Sequence, residues 1–215
     1  MNPDKVGILP LFPSTTFTAE VDEDMRSLEE IKEKYEFVET VDGHMSHMKH
    51  MTNSYITNSH HILDDFPKEK NIIMEYFNQF KIDILRESAR YKITTSWGTK
   101  VLKNGYSLFH AHSNSIYSGL FFIDDADEDC ADFVLTNSLR EYNPIITTEP
   151  FEKNIYNCDT WNFKPRKNLL IFFPSKIHHK IGLHLSETPR YSIAFNLFPE
   201  GEIGFSDSYL NISHT

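Results

Sequence analysis

The second half of the chain constrains the fold most, because from Tyr91 onward it reads as a series of short strands without helices between them. The expected strands are 93–97, 116–123, 132–135, 169–173 and 190–198, and turn-forming pieces at 103–105 and 124–129 separate some of them. Strands that follow one another without crossover helices pair antiparallel and form sandwiches or barrels. We therefore predict a mainly β protein with N-terminal helices, whose core is a double-stranded β-helix, that is, a cupin-like jelly roll.

A short helix is expected early in the chain. Ser27 is followed three residues later by Glu30, which is a capping-box pattern. Behind this start, Leu28, Ile31 and Tyr35 fall on one helical face. We expect two to three turns of helix here.

A longer helix is expected to begin near Asp65, with Pro67 in the first turn, where its missing N–H costs nothing. The apolar stripe of this helix consists of Ile73, Phe77, Phe80 and Ile84. The opposite, solvated face consists of Lys70, Glu75, Asn78 and Lys81. The apolar stripe should lie against the sheet.

The chain of 215 residues, of which 40% are hydrophobic, is long enough for one well-packed core. We expect a single domain over 1–215, in which 1–90 supplies an N-terminal strand, a loop and the helices, and 91–215 forms the jelly-roll core. The strand at 8–18 should lie at a sheet edge, because prolines there remove ladder donors.

The composition bounds the partners and the compartment. A formal net charge of −10 without a basic run argues against a nucleic-acid partner, because phosphate binding relies on clustered Lys and Arg. The two cysteines, Cys130 and Cys158, are too few for a disulfide framework, and the start of the chain does not resemble a signal peptide. The longest apolar runs are of strand length, which argues against a membrane span. We expect a cytoplasmic protein.

The polar stretch 38–61 is expected to be a loop, and within it histidines alternate with methionines over 44–51. Imidazole and thioether groups suit late transition metals, so one interpretation is a soft-metal trap. The other interpretation is an exposed loop or a lid that covers a substrate, because long loops of this kind often have that role. The absence of cysteine from the stretch favours the second interpretation.

Two histidines in the β-rich half have the spacing of metal ligands. Successive side chains of a strand alternate between faces, so His110 and His112 point the same way and can bind one ion. A third imidazole, either His178 or His179, would complete a facial set of three and leave positions open for substrate and oxygen. Open positions indicate catalysis rather than a structural metal.

An arginine on a later strand suggests a carboxylate clamp. Period two places Arg190, Ser192 and Asn196 on one face of the strand, opposite an apolar face. A guanidinium can hold a carboxylate through two hydrogen bonds, and a hydroxyl two residues on adds another. The alternative is a surface arginine that pairs with acidic residues.

Together these motifs resemble the iron(II)- and 2-oxoglutarate-dependent oxygenases, in particular a small group from bacteria and bacteriophages, including those of marine cyanobacteria. The resemblance is carried by Thr95-Ser96-Trp97, His110-Ala111-His112-Ser113-Asn114-Ser115, Ser118-Gly119-Leu120-Phe121-Phe122-Ile123, Phe173-Pro174-Ser175 with His179, Arg190-Tyr191-Ser192-Ile193-Ala194-Phe195-Asn196 and Gly201-Glu202-Ile203-Gly204. It covers roughly residues 94–210, and the opening 9–13 is similar to the start of that group.

The resemblance implies an oxygenase domain in which Fe(II) is bound by His110, His112 and His179. It selects His179 over His178, through the spacing from Pro174-Ser175. It further implies that Arg190 and Ser192 hold the far carboxylate of 2-oxoglutarate, and that catalysis needs no side chains beyond these ligands. Trp97, Ser115 and Ser118 would line or support the pocket.

The implied reaction uses O₂ to oxidise a C–H bond of an unidentified small-molecule or protein substrate, with release of succinate and CO₂. If the chain is phage-encoded, the host cytoplasm is the expected location. The loops 38–61 and 140–167 would set substrate specificity.

One position departs from the pattern of the wider superfamily, in which the second ligand is Asp or Glu. Here that position is His112, as in the small group that the chain resembles. A third neutral imidazole leaves the site one negative charge poorer and should alter metal affinity and redox poise.

Two rival functions remain open at this point. The first is a three-histidine cupin dioxygenase that binds its substrate directly on iron without 2-oxoglutarate, with Arg190 holding a substrate carboxylate. The second is a metal-stabilised jelly-roll module for binding or phage structure, in which the histidines belong to a closed metal shell.

Overall fold

The structure is a computed structural model that describes residues 13–39, 51–137 and 151–213. The first residues of the expected edge strand, nearly all of the His/Met-rich stretch 44–51 and the first part of the 140–167 loop lie outside the described residues.

Short helices and eleven strands make up the described chain. The α-helices are α1 (Ile31–Lys34) and α2 (Pro67–Phe80), and α2 continues into a π-helical turn (Lys81–Leu85). There are 3-10 turns at Arg26–Glu30, Ile62–Asp65 and Ser206–Ser208. The strands are β1 (Phe17–Glu20), β2 (Phe37–Glu39), β3 (Met51–Thr57), β4 (Arg90–Ser107), β5 (Tyr117–Phe122), β6 (Phe133–Thr136), β7 (Thr160–Phe163), β8 (Leu169–Pro174), β9 (His178–Ile181), β10 (Arg190–Ile203) and β11 (Leu210–Ile212).

The strands form two antiparallel sheets. The large sheet has the order β1-β8-β5-β10-β4-β3-β2, with β11 added beside β10, and the small sheet has the order β7-β6-β9. Consecutive strands of the β-rich half thus alternate between sheets or cross over, as in a jelly roll. The predicted mainly β fold is confirmed.

One hydrophobic cluster fills the space between the two sheets. The large sheet contributes Leu120, Phe122, Leu169, Ile171 and Phe173, the small sheet contributes Phe133 and Leu135, and Ile177 joins them. In the small sheet, Phe133 lies opposite both Phe163 and Ile181, so these side chains share one face. The inner faces of both sheets therefore form one layer of core, which also contains the histidines described below.

A second cluster lies on the other side of the large sheet, where α2 covers it. The Phe77 ring packs 5.2 Å from the Phe172 ring and 5.2 Å from the Tyr91 ring, measured between centroids. Ile73, Phe77 and Phe80 are buried, as the helical stripe predicts.

The last turn of that helix differs from the prediction. Ile84, expected on the apolar stripe, is 60% exposed, whereas Lys81, expected in solvent, is only 5% exposed. The π-helical turn Lys81–Leu85 explains Ile84, because its wider turn rotates the following side chains out of helical phase. Lys81 lies four residues after Phe77 and therefore shares its packed face. The Lys81 Nζ donates to the Ala89 carbonyl oxygen at 2.6 Å, which compensates the buried amine.

The N-terminal helix also differs from the prediction. The Ser27 side chain makes no cap, and its hydroxyl donates instead to the Glu69 carboxylate on α2. Without that cap the segment begins as the 3-10 turn Arg26–Glu30, and α1 is only four residues long.

The stretch expected to be a loop over 38–61 contains most of β2 and all of β3, so that prediction is wrong for those residues. β3 forms because β4 is eighteen residues long and offers it a partner. The piece 103–105, expected as a turn between strands, lies inside β4 at a bulge, where the pairing jumps from Thr52 with Tyr106 to Ser54 with Val101. A Cβ on Gly105 would lie 2.6 Å from the Asn53 carbonyl oxygen, so the bulge requires glycine.

Among the helices of the described residues, none has both the length and the apolar character that a membrane span requires.

Candidate metal centre

The backbones of His110 and His179 bring two imidazoles side by side. The two residues form an isolated antiparallel bridge, in which the His110 N–H donates to the His179 carbonyl at 3.0 Å and the reverse bond measures 2.8 Å. The His112 N–H donates to the Ser175 carbonyl at 3.0 Å. Three backbone hydrogen bonds thus hold the chain around His110 and His112 against the segment that ends β8 and begins β9.

The three side chains converge between the sheets. Ring centroids lie 4.4 Å apart for His110 and His179, 4.8 Å for His112 and His179, and 5.5 Å for His110 and His112. One ring nitrogen of each residue lies within 4.8 Å of the others, a spacing that could hold a single metal ion. Among the described residues this is the one such group of His, Cys, Asp or Glu.

The hydrogen bonds of the rings determine which nitrogens face the centre. The Nδ1 atoms of His110 and His179 lie 2.9 Å from the Leu108 carbonyl oxygen and 3.0 Å from the Ile177 carbonyl oxygen. The Nδ1 of His112 lies 2.7 Å from the Asn196 Oδ1. A carbonyl oxygen can only accept, so in the neutral ring each Nδ1 carries the proton and each Nε2 is the unprotonated nitrogen.

Burial keeps the imidazoles of His112 and His179 neutral. Burial is the main cause that lowers the pKa of His112 to about 4, and the neighbouring His110 lowers it further. His179 is 4% exposed, and burial together with the other two histidines lowers its pKa well below 6.5. Neutral imidazole is the form that binds metal ions, so the free site is ready for a cation near neutral pH.

The adjacent His178 lies elsewhere. It is exposed, pairs with Thr136 and points away from the face that His179 shares with Leu135. His178 is not part of the histidine cluster.

Arg190 is the second unusual group of the interior. Its side chain is 3% exposed, its guanidinium carbon lies 5.0 Å from the centre of the Phe122 ring, and its Nη1 donates to the Ser192 hydroxyl at 3.3 Å. Its Nε and Nη2 have no hydrogen-bond partner among the described residues. Burial lowers the pKa of Arg190 to about 10, so the group remains a cation at neutral pH.

The clamp residues lie on the interior face of the large sheet, and one residue of the same strand reaches the histidines. Arg190, Ser192, Ala194 and Asn196 alternate along β10 toward that face, and Asn196 reaches His112. Ala194, which packs against the inner cluster, pairs with Trp97 on one side and Leu120 on the other.

The residues expected to support the pocket surround His112. The Trp97 ring lies 5.5 Å from the His112 ring, and the Ser118 hydroxyl lies 3.0 Å from the His112 Nδ1. Ser115 is one step further away, where it accepts a hydrogen bond from Ser175 at 2.8 Å.

The sequence did not reveal two polar contacts of this site. Thr99 lies 2.6 Å from Ser192, oxygen to oxygen, and Asn196 contacts His112. Asn196 shares the period-two face of Arg190 and Ser192, which was a usable signal. No sequence pattern indicated Thr99, because its contact with Ser192 depends on the register of β4 and β10.

The interior therefore fits a metal ion together with an organic acid. Three imidazoles converge on one point, and on the strand that contacts His112 a buried cation lacks partners for two of its nitrogens. An unpartnered buried guanidinium is costly, and a bound carboxylate would supply the missing acceptors.

Comparison with known proteins agrees with this geometry. Residues 95–196 match the model of a family described as "Putative 2OG-Fe(II) oxygenase", and this segment contains the three histidines, Arg190 and Ser192. No curated protein matches the sequence.

Several solved structures share the fold at low sequence identity. An oxidoreductase of the 2OG-Fe(II) oxygenase family from Burkholderia pseudomallei superposes with a TM-score of 0.56 at 12% identity, over 85% of this chain and 83% of its own. HygX from Streptomyces hygroscopicus, with nickel, 2-oxoglutarate and hygromycin B bound, gives 0.56 at 11% identity, over 86% and 83%. A Trichoplax adhaerens prolyl hydroxylase, in complex with a peptide fragment of hypoxia inducible factor, gives 0.54 at 12% identity, over 80% and 74%.

At these identities the solved structures establish the shared fold alone. Over residues 95–196 the sequence is similar to the 2OG-Fe(II) oxygenases.

Proposed function

We propose that this chain is an Fe(II)- and 2-oxoglutarate-dependent dioxygenase that uses O₂ to oxidise a C–H bond of a further substrate, with succinate and CO₂ as the other products. The observation that carries the proposal is a buried guanidinium with two unpartnered nitrogens, that of Arg190, on the strand whose Asn196 contacts one of three convergent imidazoles. His110, His112 and His179 would bind Fe(II), and Arg190 with Ser192 would bind the distal carboxylate of 2-oxoglutarate.

The assignment of the ligands is supported by the pairing of each imidazole with an acceptor on its far side. Metal-binding histidines commonly donate their other ring N–H to a carbonyl or carboxylate, which orients the ring. All three histidines have that arrangement, through Leu108, Ile177 and Asn196. The exposed His178 does not lie in the cluster.

The assignment of the clamp is supported by burial and by the surrounding hydroxyls. The guanidinium is held between the Phe122 ring and the Ser192 hydroxyl, and Thr99 in turn fixes Ser192. These contacts orient Arg190 but leave its Nε and Nη2 free for a carboxylate. The guanidinium is only 3% exposed, and an ion pair that is shielded from water is stronger than one in solvent.

When bound, Fe(II) and 2-oxoglutarate supply the oxygen-activating chemistry, and the protein positions and shields them. The chain itself holds three imidazoles toward one point and a buried cation on β10, the strand whose Asn196 contacts His112. Neutral imidazole ligands do not offset the charge of a metal ion, so the anion that binds beside the metal must balance that charge. A doubly anionic organic acid suits such a site.

The test is an anaerobic titration of the Fe(II)-loaded protein with 2-oxoglutarate, followed by visible spectroscopy. Bidentate chelation should produce a metal-to-ligand charge-transfer band. Arg190→Ala should raise the 2-oxoglutarate concentration that gives half of the maximal band tenfold or more, while iron stoichiometry stays unchanged. Arg166→Ala is the matched control, because Arg166 is exposed and pairs with Glu20 on the surface. Equal 2-oxoglutarate affinity in the wild type and Arg190→Ala would contradict the clamp.

The neutral three-histidine donor set also supports a second candidate, a dioxygenase that binds its substrate directly on the metal without 2-oxoglutarate. In that case Arg190 would bind a substrate carboxylate. Iron binding without a charge-transfer band on addition of 2-oxoglutarate would favour this candidate.

A further inference from the structure

His112 differs from the other two histidines of the cluster in what orients it. His110 and His179 each use the carbonyl two residues earlier in their own segment, at 2.9 and 3.0 Å. His112 instead relies on a side chain from another strand, since its Nδ1 lies 2.7 Å from the Oδ1 of Asn196 on β10. Its orientation therefore depends on a residue that can be replaced by mutation.

The amide of Asn196 is itself fixed in direction. Its Nδ2 donates to the Thr95 hydroxyl at 3.1 Å, and Thr95 is its register partner on β4. This bond turns the Oδ1 toward His112. Because that oxygen can only accept, the His112 Nδ1 must carry the proton.

The other contact of His112, the Ser118 hydroxyl at 3.0 Å, does not decide the tautomer. A hydroxyl can donate or accept, and Ser118 also lies 2.9 Å from Ser175 and 2.8 Å from the Asn196 Oδ1. Ser175 donates to Ser115, so the Ser118 proton can go to Ser175 or to Asn196. Asn196 is thus the partner that dictates where the His112 proton lies.

We infer that Asn196 is a positioning residue, which fixes the Nδ1–H tautomer and the ring orientation of His112 so that an imidazole can serve where related sites use a carboxylate. A carboxylate presents lone pairs from both oxygens once ionised, whereas a neutral imidazole presents one lone pair and only in the correct tautomer. The replacement of a carboxylate by His112 therefore calls for a fixed acceptor behind the ring. This inference rests on the proposed function, because it takes His112 as a metal ligand.

The first readout is Co(II) affinity under anaerobic conditions, followed through the visible bands of the bound ion. Asn196→Leu should weaken Co(II) binding about 10- to 100-fold, the usual cost of removing a partner of a ligating histidine. Asn196→Asp keeps an acceptor toward Nδ1 and should restore binding to within a few-fold of wild type. Asn162→Leu makes the same change on the exposed β7 and should bind Co(II) as the wild type does.

The second readout needs no metal. Nitrogen-15 NMR of the metal-free protein should show His112 as the Nδ1–H tautomer in the wild type and in Asn196→Asp. In Asn196→Leu that tautomer should lose its dominance. If Asn196 had only a structural role, both replacements would disturb folding. Recovery of the tautomer in Asn196→Asp alone therefore identifies positioning of His112.

The outcomes separate the inference from the proposed function. If His112→Gln loses Co(II) but Asn196→Leu retains wild-type affinity and tautomer, the positioning role is wrong and the ligand assignment stands. If His112→Gln binds Co(II) as tightly as the wild type, His112 is not a ligand, and the proposed metal site and this inference both fail.

Discussion

The backbone N–H groups of His110 and His179 each donate to the carbonyl oxygen of the other residue, at 3.0 and 2.8 Å. This reciprocal pair places two imidazoles with centroids 4.4 Å apart, although the residues are remote in sequence. The rings are therefore positioned by the backbone between the sheets, and their geometry should survive in the metal-free protein.

His179→Ala should remove most of the bound Fe(II), because the variant loses a buried imidazole whose Nε2 has a free lone pair. His178→Ala, which changes the exposed neighbour, should retain it. Metal content after anaerobic loading and desalting measures both. Full retention in His179→Ala together with loss in His178→Ala would move the ligand role to His178.

Arg190→Met should stabilise the protein in the absence of metal and 2-oxoglutarate. The wild type buries a guanidinium with two unpartnered nitrogens, and an apolar side chain of similar length removes that penalty. We expect a gain of about 1–3 kcal/mol in the free energy of unfolding, measured by urea denaturation.

The control for this prediction is Arg166→Met, which replaces an exposed arginine that pairs with Glu20. Exposed ion pairs contribute little, so its stability should change by less than about 1 kcal/mol. A clear loss of stability in Arg190→Met would show that the guanidinium contributes to folding rather than waiting for a carboxylate.

Phe77→Ala and Ile84→Ala test where α2 ends its contact with the sheet. Phe77 is fully buried among aromatic rings, so its truncation should cost about 3–5 kcal/mol of unfolding free energy. Ile84 is 60% exposed beyond the start of the π-helical turn, so its truncation should cost about 0.5 kcal/mol or less. Similar losses for both in chemical denaturation would place Ile84 on the packed stripe.

The core strands and the convergence of the three histidines could be predicted because their signals are local; the roles of the site residues stay predictions. The strand periodicity of β10 put Arg190 and Ser192 on one face, and two-residue spacing paired His110 with His112. These patterns depend only on the geometry of an extended chain.

Features that depend on long-range pairing could not be predicted in the same way. β3 was predicted to be a loop, because its partner is the distant β4. Ile84 was predicted on the buried face, because nothing in the sequence marks a π-helical turn. Asn196 was placed on the correct face, but its contact with His112 needs the register of three strands. The division into 1–90 and 91–215 and the cytoplasmic location stay predictions.

The stability of the metal-free protein should fall as the pH drops from about 6.5 to about 4, because His112 is neutral in the fold. Its pKa is lowered to about 4 from 6.5, mainly by burial, so the unfolded chain binds a proton in that window which the folded protein excludes. Protonation thus favours unfolding, and the effect of His112 alone should approach about 3 kcal/mol at the acid end.

Urea denaturation at a series of pH values measures this loss of stability, and His112→Gln should flatten the pH dependence relative to the wild type. His178→Gln, which changes an exposed imidazole outside the cluster, should keep the wild-type dependence. The same slope in all three proteins would mean that His112 is protonated equally easily in the folded and unfolded chains, which its burial between the sheets opposes.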